Sequence, residues 1–170
     1  MDRYHSSSLK EPIVGVKLLE AIGADCRPRL RTIVSASPWE AVDPGRAVCR
    51  IAPGPGELGE MGHCVPSVNC TCGHHSWYPA LGLELLRAAW YRRQVGVLVV
   101  GSGKIIRGTR AWRSEYIRMV AVIDSGEAGF LGELASLYGV ALMAPPSVME
   151  MASEFGRVLP SEFDGKLGPF

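Results

Sequence analysis

No stretch of this chain reaches the roughly 18 consecutive apolar residues that a bilayer-spanning helix needs. Residues 1–12 are polar and lack the apolar core of a secretion signal. The expectation is a cytoplasmic protein with no membrane partner. An excess of one charge sign is also missing: 18 basic and 17 acidic residues leave a net charge of +1. Cysteine is scarce outside one short stretch. Of five cysteines, Cys26 stands alone, and Cys49, Cys64, Cys70 and Cys72 fall close together. In a reducing compartment disulfides are rare, so a cluster of this kind points to a metal before bridges. Several catalytic signatures are absent as well. There is no H-E-x-x-H, and no H-x-E with P-C-x-x-C, although Glu57 and Glu60 lie nearby. A catalytic zinc needs an open position and a general base, so these absences favour a structural ion over a hydrolase or deaminase.

What is present is an ordinary globular composition, with 47% apolar and 21% charged residues. The length suits one domain. The expected organisation is a flexible tail over 1–12, a single domain over 13–155 and a second tail over 156–170. Residues 14–19 and 29–34 read as short strands joined through a Gly/Pro turn, which makes a hairpin. Trp39 follows Ser37-Pro38 and is expected to plug one end of the core. Residues 46–51 read as a third strand ending near Cys49. Apolar spacing predicts a helix over 79–93, with Pro79 at its start. Residues 95–100 read as a buried strand, 101–103 as a tight turn and 104–107 as the antiparallel return. Residues 112–123 are β-compatible. A helix over 127–138 is expected to bury Phe130, Leu131, Leu134 and Leu137 and to stop at Gly139. A short apolar piece over 140–143 then ends at Pro145-Pro146, and Ser147 caps a last helix over 147–155. The fold class is α+β: a small antiparallel sheet or partial barrel, two or three helices, and a zinc-tied loop.

That loop is the segment 52–73. It is punctuated by Gly and Pro and has almost no periodicity, and a loop so long is unusual in a compact domain unless something ties it down. The proposed tie is one structural zinc on Cys49, His63, Cys70 and Cys72. Two thiolates one residue apart reach the same ion if the backbone turns sharply, and Gly73 permits the positive φ such a turn needs. Cys64, His74 and His75 remain alternatives for one of the four.

Charge is uneven along the chain. Residues 84–118 carry eight basic and two acidic side chains, whereas 119–170 carry two basic and seven acidic. Mutual neutralisation across one fold is the simpler reading. The sharper one is a basic face, including Arg92, Arg93, Lys104, Arg107, Arg110 and Arg113, for nucleic acid or another acidic partner. Trp90, Tyr91, Trp112 and Tyr116 interleave with these residues, as single-stranded nucleic acid binding would use. Arg113 and Glu115 lie two apart on a strand and so share a face. Their preferred reading is structural, with Arg113 bridging strands or tying the zinc loop and Glu115 as its partner. Gly101-Ser102-Gly103-Lys104 lacks the interval and the ending of a phosphate loop, and a hairpin turn explains it better.

The residues also form a longer pattern. Trp39-Glu40 precedes Pro44-Gly45 and Ala47 to Cys49. His63, Pro66 and Cys70-Thr71-Cys72-Gly73 follow, and then Val95-Gly96-Val97 after a helix. Gly103 precedes Trp112-Arg113-Ser114-Glu115, and Leu134-Ala135 runs on to Tyr138-Gly139-Val140. The pattern resembles a group of uncharacterised small proteins of actinobacteria and their phages, which share a C…H…C-x-C-G signature and a later G-[aromatic]-R-A-E stretch. It spans roughly residues 13–143. It departs at His74-His75, where the group has an aliphatic-aromatic pair, and at Ser114, where it has Ala. The resemblance implies the zinc ligands and the boundaries but no activity. A phage-borne member would work in the host cytoplasm on a host protein or nucleic acid. The leading functional expectation is a protein-interaction module with an unidentified protein partner, and the alternative is nucleic-acid binding through residues 87–118.

Overall fold

The computed structural model describes residues 5–7, 11–22, 28–33, 39, 45–47, 49, 65–67, 70–89 and 94–159. Cys26, His63, Cys64, Trp90, Tyr91, Arg92 and Arg93 lie outside them. The elements in chain order are β1 (His5–Ser7), β2 (Ile13–Ile22), β3 (Arg29–Thr32), β4 (Gly45–Arg46), β5 (His74–Trp77), α1 (Pro79–Ala89), β6 (Gln94–Arg107), β7 (Ala111–Ile123), α2 (Ala128–Leu137), β8 (Ala141–Met143) and α3 (Pro145–Phe155). The fold is α+β. Among the described residues, no helix is long and apolar enough to cross a membrane.

Two long strands organise the sheet. Both are rich in Val and Ile, which suit a pleated surface buried on both faces. β6 pairs antiparallel with β2 along 94–101 and with β7 along 97–107. β5 joins β7 to β2, the latter through the single register Val16↔Trp77, so the sheet bends into a partial ring. β2 and β3 form the expected hairpin, from Leu19↔Thr32 to Ile22↔Arg29. β1 pairs with the far end of β6, so strand structure begins inside the stretch expected as a tail. At the other end Leu159 is buried and Arg157 bonds to Pro12 and Val14, which carries the packed body beyond residue 155.

One pair is parallel. β8 runs alongside the end of β7, because α2 carries the chain back to the same end before β8 begins. The sheet is therefore mixed, where an antiparallel one was expected. The expected turn at 101–103 is also corrected. β6 runs straight through it, and Gly103, at φ +75°, is the extra residue of a bulge between Ser102↔Tyr116 and Ile105↔Ser114. The chain reverses later, at 108–111, where the Gly108 amide donates to the Ala111 carbonyl.

Helices cover both faces. Leu83 and Leu86 of α1 and Val148 and Ala152 of α3 pack with Val14, Val16, Leu98 and Val100. On the other face Leu131, Leu134 and Ala135 of α2 pack with Ile13, Leu19, Val97 and Val99, together with Trp39 and the fully buried Trp112. Trp39 is thus in the core, as read from the sequence. α2 buries only that stripe. Phe130 and Leu137, expected inward, are 37% and 55% exposed, because the helix is apolar around more of its circumference than the sheet can cover. α3 starts at Pro145, not after it: Pro145 and Pro146 occupy the first turn, where a missing N–H costs nothing.

Candidate metal centre

β4 and β5 lie end to end along one edge of β7. Gly45 and Arg46 face Ile117 and Tyr116, and the Ala47 amide donates to the Glu115 carbonyl at 2.7 Å. His74 then faces Ser114, and the pairing continues to Trp77↔Ala111. Along this edge the two pieces form one interrupted strand. The chain leaves after Ala47 and returns at His74, so residues 48–73 are an excursion from a single line of strand pairing. Cys49 lies at its exit, and Cys70 and Cys72 at its re-entry. The register of β4 and β5 on β7 is therefore what brings together cysteines more than 20 residues apart in sequence.

The three thiol sulfurs lie within 4.8 Å of one another, and those of Cys49 and Cys70 are 3.7 Å apart. A disulfide would bring them to about 2.05 Å. A tetrahedral zinc with Zn–S bonds of about 2.3 Å would hold two sulfurs about 3.8 Å apart. The observed separation fits the second. All three residues are half-buried. The three cysteines are thus positioned to hold a metal ion.

Local structure explains the knuckle. The Cys70 amide donates to the Ser67 carbonyl, and Gly73 has φ +110°, in the left-handed region that glycine favours. A Cβ at Gly73 would come within 2.8 Å of Pro66 and 3.3 Å of Arg113. The Cys72 amide donates to the Cys70 sulfur and holds that thiol below its ordinary range. Burial pushes the Cys72 thiol up.

Arg113 anchors this turn from β7. It is only 3% exposed, and its Nη1 donates to the carbonyls of both Cys70 and Cys72, the latter at 3.0 Å. The structural role read for Arg113 is observed. The pairing read for Glu115 is different: its carboxylate meets Arg46 at 3.3 Å and accepts from the Lys104 amide. Burial of Arg113 also corrects its inclusion among the surface basic residues, since a guanidinium turned onto two carbonyls inside the protein cannot face a partner.

His74 and His75 do not join the thiols. His74 Nε2 donates to the Gly45 carbonyl at 2.9 Å, and His75 Nε2 to the Thr71 carbonyl at 2.7 Å. A carbonyl only accepts, so both Nε2 atoms carry the proton. Burial lowers both imidazoles, His74 to about 4 with help from Lys17, and keeps them neutral at pH 7. Lys17 was not singled out from the sequence. Its Nζ donates to the His75 carbonyl at 2.7 Å and lies 5.8 Å from the Trp39 ring centre, which in turn meets the His74 ring edge-on at 6.4 Å. Its only signal was a lone charge in the apolar run 13–19. His63, the fourth proposed ligand, and its alternative Cys64 lie outside the described residues.

Of the remaining basic residues, Lys104 is half-buried beside the Gly103 bulge, and Arg107 and Arg110 are half-buried around the β6–β7 turn. Trp112 is fully buried, with its Nε1 on the Val14 carbonyl, so it offers no ring for base stacking. Tyr116 is half-buried, with the Arg46 guanidinium 5.9 Å from its ring centre. Arg92 and Arg93 lie outside the described residues. Comparison of the chain with protein-family models, curated proteins and solved structures finds no match.

Proposed function

We propose that the chain is a zinc-stabilised protein-interaction module in which the ion has a structural role. Cys49, Cys70 and Cys72 supply three ligands and His63 the fourth. The observation that supports this most is the convergence of three thiols from the two ends of one excursion, at a spacing suited to a tetrahedral ion. Zinc is the metal that sulfur and imidazole in a closed four-ligand site favour. Its task is to draw the exit and the re-entry of residues 48–73 together, and no step of chemistry is needed for that. Elemental analysis of the purified protein should give about one zinc per chain. A folded, metal-free protein would overturn the reading, and His63→Ala should lose zinc while Cys64→Ser keeps it.

For the interaction role, the supporting feature is apolar surface that the fold leaves uncovered. Phe130 and Leu137 lie two turns apart on α2, and Leu142 of the neighbouring β8 is 37% exposed. A partner protein isolated with the native chain should be lost with the double variant Phe130→Ser, Leu137→Ser. The proposed setting is the cytoplasm, with a host protein as partner if the chain is phage-encoded. Retention of nucleic acid in a salt-dependent manner would instead support the reading through residues 87–118.

A further inference from the structure

We propose that Arg113 is the built-in counter-ion of the metal site that the thiols of Cys49, Cys70 and Cys72 form. The inference rests on the zinc reading above and concerns what holds the ion once the thiols converge.

Three thiolates on a divalent cation leave one negative charge in excess, and a fourth thiolate would leave two. The three cysteines are half-buried, where uncompensated charge is costly. Arg113 is the cation built into this place. It projects from β7, the strand on which both β4 and β5 are registered, so its position is set by the sheet and not by the loop. Its Nη1 bonds to both carbonyls that flank Thr71, which pins the Cys70–Cys72 turn. In that turn the Cys72 amide already faces the Cys70 sulfur. One side chain thereby does two things. It fixes the turn in the conformation that binds metal before any ion arrives, and it supplies the single positive charge that a trithiolate centre lacks. A guanidinium suits the task because it stays charged when buried.

The two contributions separate by substitution. Arg113→Lys keeps the charge. Arg113→Gln keeps amide donors but drops the charge, and Arg113→Met removes both. Zinc affinity is measured on the full-length protein by competition with a chromophoric chelator, and cobalt substitution reports coordination through its visible spectrum. Groups that orient metal ligands from outside the coordination shell are typically worth 10- to 100-fold in affinity. The expected order is therefore native, then Lys, then Gln about tenfold weaker, then Met at the 100-fold end. The cobalt spectrum should keep its tetrahedral form in every variant that binds. If Met fails to fold, Lys against Gln still decides: equal affinity of those two overturns the counter-ion role. Native-like affinity of Met overturns the whole proposal. A native protein that binds no zinc would instead defeat the zinc reading on which this proposal stands, and the two failures are thus distinguishable.

Discussion

The sheet around β6 and β7 and the stretch from β4 to β5 are built on opposite principles. In the first, Val97, Leu98, Val99, Ala121, Val122 and Ile123 are fully buried, and helices cover both faces. Burial at about 25 cal/mol per Å² of apolar surface carries that region. In the second, polar contacts position the described residues. Arg113 holds the knuckle carbonyls, His74 and His75 bond to carbonyls, and Lys17 reaches the His75 carbonyl. Three thiols gather in its midst. Net gains from such hydrogen bonds are about 1 kcal/mol each, so this stretch is the part of the molecule with most to gain from a metal.

The comparison breaks most severely in the core. Trp112→Ala removes a fully buried ring that packs over Gly15 and Gly101, and should cost about 3–5 kcal/mol in denaturant unfolding. Zinc should stay bound in the folded fraction. Next comes the metal. As a cross-link closing the loop from Cys49 to Cys72, an ion is worth about 3 kcal/mol of loop-closure entropy. Cys72→Ser should therefore lose zinc and melt earlier, while Cys26→Ser does neither. Hydrogen exchange should sharpen the contrast: without metal, protection falls at Ala47 and in β5 and persists in β6. Loss of protection throughout would show that the two regions are a single cooperative unit. A Cys72→Ser protein that melts normally but loses partner binding would make the ion functional instead of structural.

The smallest effect is one of pH. Lys17 is half-buried, and desolvation lowers its ammonium from 10.5 to about 8. Below pH 8 both folded and unfolded chains hold the proton, and the folded state bears the cost of burying it. Between about pH 8 and 10.5 the unfolded chain still holds the proton that the folded chain has released, so rising pH relieves the cost. Melting temperatures of the native protein and Lys17→Met, compared at pH 7 and pH 10, should show the native gaining on the variant. A constant difference would place Lys17 in ordinary solvent.

Features set by local chemistry were legible in the sequence. The β2–β3 hairpin, the start of α1 at Pro79, the turn at Gly73 and the clustering of Cys70 and Cys72 all follow from residue types at short range. The failures share a cause: one local pattern serves two structures. Gly101-Ser102-Gly103 reads as a turn, but a glycine at positive φ serves a bulge equally well, and only the partner strand decides. Pro145-Pro146 ends one element or begins the next. Phe130 and Leu137 have the spacing of a buried stripe, yet which stripe of an apolar helix is covered depends on the sheet beneath it. His74 and His75 had the chemistry of ligands. Their pairing with β7, which turns each imidazole onto a carbonyl, is a long-range fact. The role of Arg113 was legible because a charged residue on a β-compatible run needs a partner, but its partner carbonyls were not.

The collinearity of β4 and β5 bears on how this chain can be cut and enlarged. Residues 48–73 interrupt what is, along the edge of β7, one strand, so both ends of the interruption are secured by the same scaffold. A protease nick between Cys49 and Cys70 would leave two fragments that the sheet still holds in register. A foreign peptide spliced there would enter and leave at two points that the edge of β7 holds in line. The edge of β7 thus offers a display position whose two ends are fixed by strand pairing.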